Sequence, residues 1–411
     1  MTKRHKRYLY FLVFIIFAII GIRSLELNKN EKFLNFLAHY YFDKNYYLEN
    51  YPDIKAANVD PFDHYVKYGW KEGRNPSESF DTNFYIKCYL SSSAANAYNL
   101  NPLADYIKSR ITFKRRFISM EQFTLGHKVK LLDNPKYYIS LVALFQNEAR
   151  FLKEWIEFHL LMGVEHFYLY NNLSTDNYME VLEPYIKKGV VELRNLNARS
   201  DNLEEWNIVQ TNLYTSFAKE VQDITEWLVV IDTDEFLFPV KARKLQEVFK
   251  KYDNYPSLSV NWKLFGSGDV ERIESGKLMI ESLTLSSDKK DMHVKTIVKP
   301  RYVKYFDNPH FAHLILGYGQ VTENFIPFDG LFSPTASLNI LRINHYWARD
   351  WAFFRENKLS RVHVISSALD EEEKKAKIES MINVNKAISA EYDGSILRFV
   401  SDLKERMGQS D

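Results

Sequence analysis

The chain has 411 residues, 46% hydrophobic and 26% charged, with a formal net charge of +1. That balance excludes large-scale disorder and a generally basic nucleic-acid binder, so nucleic acid is not an expected partner. A single cysteine, Cys88, excludes internal disulfides and any cysteine-based zinc cluster, as in a chain that matures in a reducing compartment.

The amino terminus carries Lys3-Arg4-His5-Lys6-Arg7 and then an apolar run, Tyr8 to Ile22. No small-x-small cleavage pattern follows, so residues 8–22 are expected to form an uncleaved, single-pass membrane anchor within a first segment, 1–30. The run is shorter than the ~20 residues that span a bilayer comfortably, which leaves an interfacial helix open. The side of the membrane is open too. The basic start suits a Golgi-type arrangement, whereas the lone cysteine and the segment that follows suit a bacterial inner-membrane enzyme.

Segment 31–135 holds an internal repeat. Phe42-Asp43-Lys44-Asn45-Tyr46-Tyr47-Leu48 recurs as Phe80-Asp81-Thr82-Asn83-Phe84-Tyr85-Ile86. Each copy is followed by a second unit, Asp60-Pro61-Phe62-Asp63-His64-Tyr65 and Asn101-Pro102-Leu103-Ala104-Asp105-Tyr106. Pro one place after Asp or Asn marks a helix start, so each copy reads as two short helices in a small self-similar module.

From Lys136 the pattern alternates between strands and helices. Tyr138–Leu144, Val164–Tyr170, Val190–Leu193 and Trp227–Ile231 are apolar runs of strand length. Between them lie a helix ended by Gly163, one from about 177 to 188 ended by Gly189, and one near 210–220. This order predicts an α/β domain over 136–365: a Rossmann-like, mostly parallel sheet with helices on both faces. A helical tail, 366–411, is expected after it.

Three polar clusters end successive strands: Gln146-Asn147-Glu148, Asn171 through Asp176, and Asp232-Thr233-Asp234-Glu235. Ligands of open α/β sheets bind at that edge. Asn147, Ser174 and Asp176 also suit helix caps, which need no ligand. The third cluster has too many acids for a cap alone. If the strand runs on, Asp232 and Asp234 face one volume, where two hard carboxylates suit a divalent cation on a diphosphate, and Glu235 points away.

Leu141 through Glu148, Leu152 through His159, Gly163 through Asn172 and Trp227 through Pro239 together resemble glycosyltransferase family 92 and its bacterial relatives. Trp262 through Ser267, Lys295 through Pro300 and Asn344-His345-Tyr346 extend the resemblance in order. It implies a GT-A fold, a nucleoside-diphosphate sugar donor and a divalent metal, Mn2+ or Mg2+. By the resemblance, Glu148, Asn171, Asn172, Asp176 and Asp232 line the nucleotide pocket, and Asp232, Asp234 and His345 hold the metal, with His313 a weaker candidate. Asp269 is the candidate catalytic base, on a loop after Phe265-Gly266-Ser267-Gly268.

The expected activity is metal-dependent transfer of a hexose to a glycan acceptor with inversion. A non-catalytic glycan- or partner-binding protein on the same fold is the competing reading. A nucleotidyltransferase would place a Gly-rich basic loop after the first strand, and Gln146-Asn147-Glu148-Ala149-Arg150 is not one.

Overall fold

The alternation of apolar runs and amphipathic segments beyond residue 136 folds as its periodicity requires. The structure, a computed structural model, describes residues 31–90, 101–111, 119, 129–200, 202–315, 318–360, 362 and 369–409. The chain divides into two units, Met1–Leu125 and Gly126–Asp411.

In the first unit the repeat is a repeat of structure. Asp43 and Asp81 cap the helices Lys44–Asn50 and Thr82–Tyr85, each accepting from backbone N–H groups of the first turn. Asp60 and Asn101 likewise cap helices that begin at Pro61 and Pro102. Tyr47 bonds the His64 ring at 3.0 Å, and Tyr85, its counterpart, donates to Asp105 at 2.8 Å. Both tyrosines are fully buried, so each copy is locked by one hydroxyl at the same place.

The second unit is built on strands β1 Tyr137–Phe145, β2 His166–Asn171, β3 Val191–Asn195, β4 Thr225–Val230, β5 Glu235–Pro239, β6 Ser257–Leu264 and β7 Leu285–Ser286. Then follow β8 Val294–Val298, β9 Val303–Asn308, β10 Phe311–Leu314, β11 Gln320–Thr322, β12 Pro327–Phe328, β13 Leu341–His345 and β14 Glu391–Tyr392. The main sheet runs β12-β11-β6-β8-β4-β1-β2-β3, with β13 also paired to β5 and β6. Strands β3, β2, β1 and β4 are parallel, while β8 runs antiparallel to both β4 and β6. The result is a mixed α/β domain with a mostly parallel sheet.

Alternate side chains of the central strands point to opposite faces. Val142, Leu144, Tyr168, Tyr170, Leu228 and Val230 pack with helix Leu203–Val221 on one face. On the other, Phe167 meets Trp155 of helix Ala149–Leu161, and Trp227 meets Phe249 of helix Leu245–Phe249. Gly163 and Gly189 follow the two helix ends with φ of 95° and 70°, left-handed values that favour glycine.

Segment 366–411 holds the helices Glu371–Ala387 and Val400–Met407 and packs onto the domain: β14 pairs β7, the Asn385 side chain bonds the Ser267 N–H, and Arg398 donates to the Pro239 carbonyl. The expected single-pass membrane anchor finds no support in the described residues. Among the described residues no helix is long and apolar enough to cross a membrane. Residues 8–22, on which that expectation and the apolar amino-terminal helix rested, lie outside the described residues.

Candidate functional site

Register alone brings the polar strand ends together. Phe145 at the end of β1 pairs Asn171 at the end of β2, which pairs Asn195 at the end of β3. Strand β4 stops at Val230, and Asp232-Thr233-Asp234 forms a turn into β5, closed by the Glu235 N–H on the Asp232 carbonyl. The two acids therefore do not alternate along a strand, as the sequence pattern suggested. Their side chains are set by the turn, and the Tyr346 N–H on the Asp234 carbonyl ties that turn to the end of β13.

Each acid meets a cation. Lys295 on β8 donates to Asp232 at 2.7 Å and lies 3.5 Å from Glu235. Lys358 donates to Asp234 at 2.9 Å. The Arg349 guanidinium, wholly buried, bonds Glu148 at 2.5 Å and lies 3.4 Å from Asp234, stacked between Phe151 and Phe353. Arg349 sits at φ 58°, an uncommon conformation for a residue with a side chain, in the turn that follows β13. Four carboxylates thus share three full cations.

The environments drive the acids apart. Burial alone would raise the Asp234 carboxyl, but Lys358, His345 and Arg349 overcome it and hold it well below the usual range. Asp232 is lowered as well, the Lys295 charge outweighing burial and the neighbouring Asp234. Glu235 goes the other way. Complete burial, reinforced by the charges of Asp232 and Asp234, pushes it well above the usual range despite Lys295. Nor does Glu235 point away from the pair, since its carboxylate accepts the Asp232 N–H at 3.0 Å.

Of these acids Asp232 is the one that reaches solvent, with its side chain 36% exposed against 8% for Asp234. His345, at the end of β13, places Nε2 3.6 Å from an Asp234 oxygen. Its other ring nitrogen is buried without a hydrogen-bond partner.

The β1 and β2 ends are occupied differently. Asn171 accepts the Ser174 N–H and donates to Tyr178 and Asn195. Asn172 accepts the Ala198 N–H, and Asp176 accepts the Ala149 N–H at the start of the first helix. Asn147, at φ 56°, accepts from Thr175. Asp176 keeps one buried oxygen without a partner. Asp269 is exposed and has no hydrogen bond or ion pair to the acid cluster, and His313 pairs with Asp307 instead.

Sequence reasoning missed Lys295, Lys358 and Arg349. One signal was there: lysines do not normally sit in apolar strands, yet Lys295 is the second residue of the buried run Val294–Val298. Lys358 and Arg349 lie beyond the strand pattern and gave none.

An open, mostly parallel sheet with a charged cluster at its carboxyl edge defines a class of α/β ligand-binding domain. The chain belongs to glycosyltransferase family 92, whose model matches residues 136–361. A family 92 protein of Ricinus communis is 27% identical over 246 residues, 57% of this chain and 41% of that one. One of Oryza sativa subsp. japonica is 26% identical over 234 residues, 56% of this chain and 37% of that one. The chain thus spans less than half the length of either relative. Among solved structures, S. aureus TarS with UDP-GlcNAc is 13% identical, covering 65% of this chain and 72% of that one at a TM-score of 0.30. A likeness that low carries no information about the site.

Proposed function

We propose that the 136–361 domain is a GT-A glycosyltransferase that moves a hexose from a nucleoside-diphosphate sugar to a glycan acceptor, with inversion. The observation that supports this reading is Asp232, a solvent-reaching carboxylate in a turn at the sheet edge, inside the segment that belongs to the family. Lys295, Lys358 and Arg349 give the same place a cationic lining suited to a diphosphate.

A divalent cation, Mn2+ or Mg2+, fits the donor set on one condition. Among the described residues no three His, Cys, Asp or Glu side chains are placed to hold a metal by themselves. Such ions are commonly bound by one or two carboxylates together with substrate phosphates and water, so Asp232 and Asp234 suffice once a diphosphate is present. His345, whose Nε2 lies 3.6 Å from an Asp234 oxygen, is the third donor of the proposed set. A bound cation would supply Lewis-acid stabilisation of the departing diphosphate.

The protein's own groups do the rest. Lys295 and Lys358 are proposed to turn from the acids toward phosphate oxygens, and Arg349 to hold the Asp234 carboxylate beside Glu148. Glu148, Asn171, Asn172 and Asp176 are proposed to border the nucleotide. The test is release of nucleoside diphosphate from UDP-glucose, UDP-galactose and GDP-mannose by the purified chain with manganese. Wild type should turn over at least one donor, and Asp232→Asn should lose about 100-fold or more. Equal rates for the two proteins would sink the assignment.

A further inference from the structure

The antiparallel strand β8 delivers its amino-terminal end to the edge where β4 and β6 deliver their carboxyl ends, because Val294 pairs Asn261 late in β6. The residue just before β8 is His293, paired as an isolated bridge with Phe332. His293 and Lys295 lie two apart on extended backbone, so their side chains leave the same face about 7 Å apart. Lys295 is the residue that grips Asp232.

His293 is held as a reactive imidazole would be. Its Nδ1 lies 2.7 Å from the Asp291 carboxylate, which also accepts the His293 backbone N–H at 2.8 Å. A carboxylate only accepts, so this contact places a proton on Nδ1, and in the neutral ring the lone pair is then on Nε2. The His293 carbonyl accepts from the Asn261 side chain and the Trp262 N–H, which fixes the backbone. The ring packs between Trp262, at 5.3 Å, and Phe332, at 4.4 Å, with 39% of the side chain exposed.

Around it, polar atoms lack partners. Trp262 Nε1, His310 Nδ1 and His345 Nδ1 are all buried and make no hydrogen bond. Trp262 touches His293, His310 and His345 together, at ring separations of 5.3, 5.0 and 4.5 Å, so the residues that carry these unpartnered atoms surround one indole. Orphaned buried polar atoms cost stability, and their gathering beside an open imidazole points to a hydroxyl-bearing ligand. Phe332, 40% exposed, adds an aromatic wall of the kind that packs on a sugar ring.

We propose that this is the acceptor subsite and that His293, oriented by Asp291, is the general base of transfer. The assignment rests on the transferase reading given above. In the step it implies, the acceptor O–H bond breaks and its proton passes to His293 Nε2. The freed oxygen pair forms the bond to the anomeric carbon as the bond from that carbon to the diphosphate oxygen breaks, its electrons leaving with the nucleoside diphosphate. The imidazolium then gives its proton to solvent, and Asp291 stabilises it meanwhile.

The experiment uses the full chain with manganese, the same three donors, and water as acceptor. His293→Ala should lower kcat about 100-fold or more while the donor KM stays within about threefold, and free imidazole should restore part of the rate. His293→Gln keeps the size and a hydrogen bond to Asp291, so it should fold as wild type yet stay as slow as the alanine variant. Asp291→Asn should fall between. A His293→Ala rate near wild type, with Asp232→Asn silent, overturns the base and leaves the transferase reading standing. Recovery in His293→Gln would make His293 a packing residue, and an equal loss in Asp269→Asn with no imidazole rescue of His293→Ala would move the base there. Failure of wild type on every donor overturns the transferase reading and this assignment together.

Discussion

Two polar strand ends lie on one edge of the same sheet and are satisfied by opposite means. At the ends of β1 and β2, the side chains of Asn147, Asn171, Asn172 and Asp176 accept backbone N–H groups of the neighbouring turn, so the loops knit each other. At the end of β4, Asp232 and Asp234 are met by the charged ends of Lys295, Lys358 and Arg349. A backbone N–H cannot leave its acceptor without unravelling the turn. A lysine head can leave, because its stem is flexible and its charge is as well satisfied by a phosphate. The first arrangement makes a frame, the second an exchangeable site.

The largest effect expected from this contrast is at Lys295, which is 1% exposed and shared by Asp232 and Glu235. Lys295→Met should lower unfolding free energy by about 3–5 kcal/mol, since it leaves buried acids without their cation. Urea denaturation measures it, and manganese should return part of the loss by taking the lysine's place. Lys358→Met, at a site 20% exposed, should cost clearly less. Equal costs would mean that burial of the lysine is not what separates the two sites.

A second test compares acids with and without a cation. Glu154 is buried and accepts only the N–H groups of Met279 and Ile280, and burial pushes it up to about 7. Its folded-state affinity for the proton exceeds that of the unfolded chain, so its contribution to stability is full at low pH. That contribution fades as pH rises from about 4.3 to about 7, by about 4 kcal/mol in all. Asp234, held down by its cations, has the opposite sign: its contribution is present above the unfolded value near 3.9 and lost on acidification. The stability gap between wild type and Glu154→Gln should therefore narrow from pH 5 to pH 7.5. A gap that stays constant would mean Glu154 is ionised throughout.

The frame was legible in the sequence and much of the exchangeable site was not. Unbroken apolar runs, Gly163, Gly189 and the polar strand ends located β1 to β4 and their helices within a few residues, because each signal is local. The helix predicted near 210–220 begins at Leu203, where Asn202 caps it. Lys295 and His293 reach the site only because β8 runs against its neighbours, and strand direction is a property of pairing that local periodicity does not carry. Arg349 depends on a left-handed turn, and Lys358 on a helix at the far end of the domain. Asp232 and Asp234 were found for a reason that does not hold, since β4 ends before them.

The smallest expected effect is the most direct check on the frame itself. Asn171 is a nucleotide-bordering candidate by family resemblance, yet its side chain is engaged by Ser174, Tyr178 and Asn195 and is 5% exposed. If those bonds are its whole role, Asn171→Ala should cost about 1–3 kcal/mol of stability, chiefly by leaving the Ser174 N–H and the Asn195 side-chain oxygen without their partner. The donor KM should then stay within about threefold of wild type, because nothing that reaches solvent has changed. A tenfold rise in donor KM at unchanged stability would instead make Asn171 a ligand contact. The β2 end would then belong with the acid turn, as a second place where a protein partner gives way to substrate.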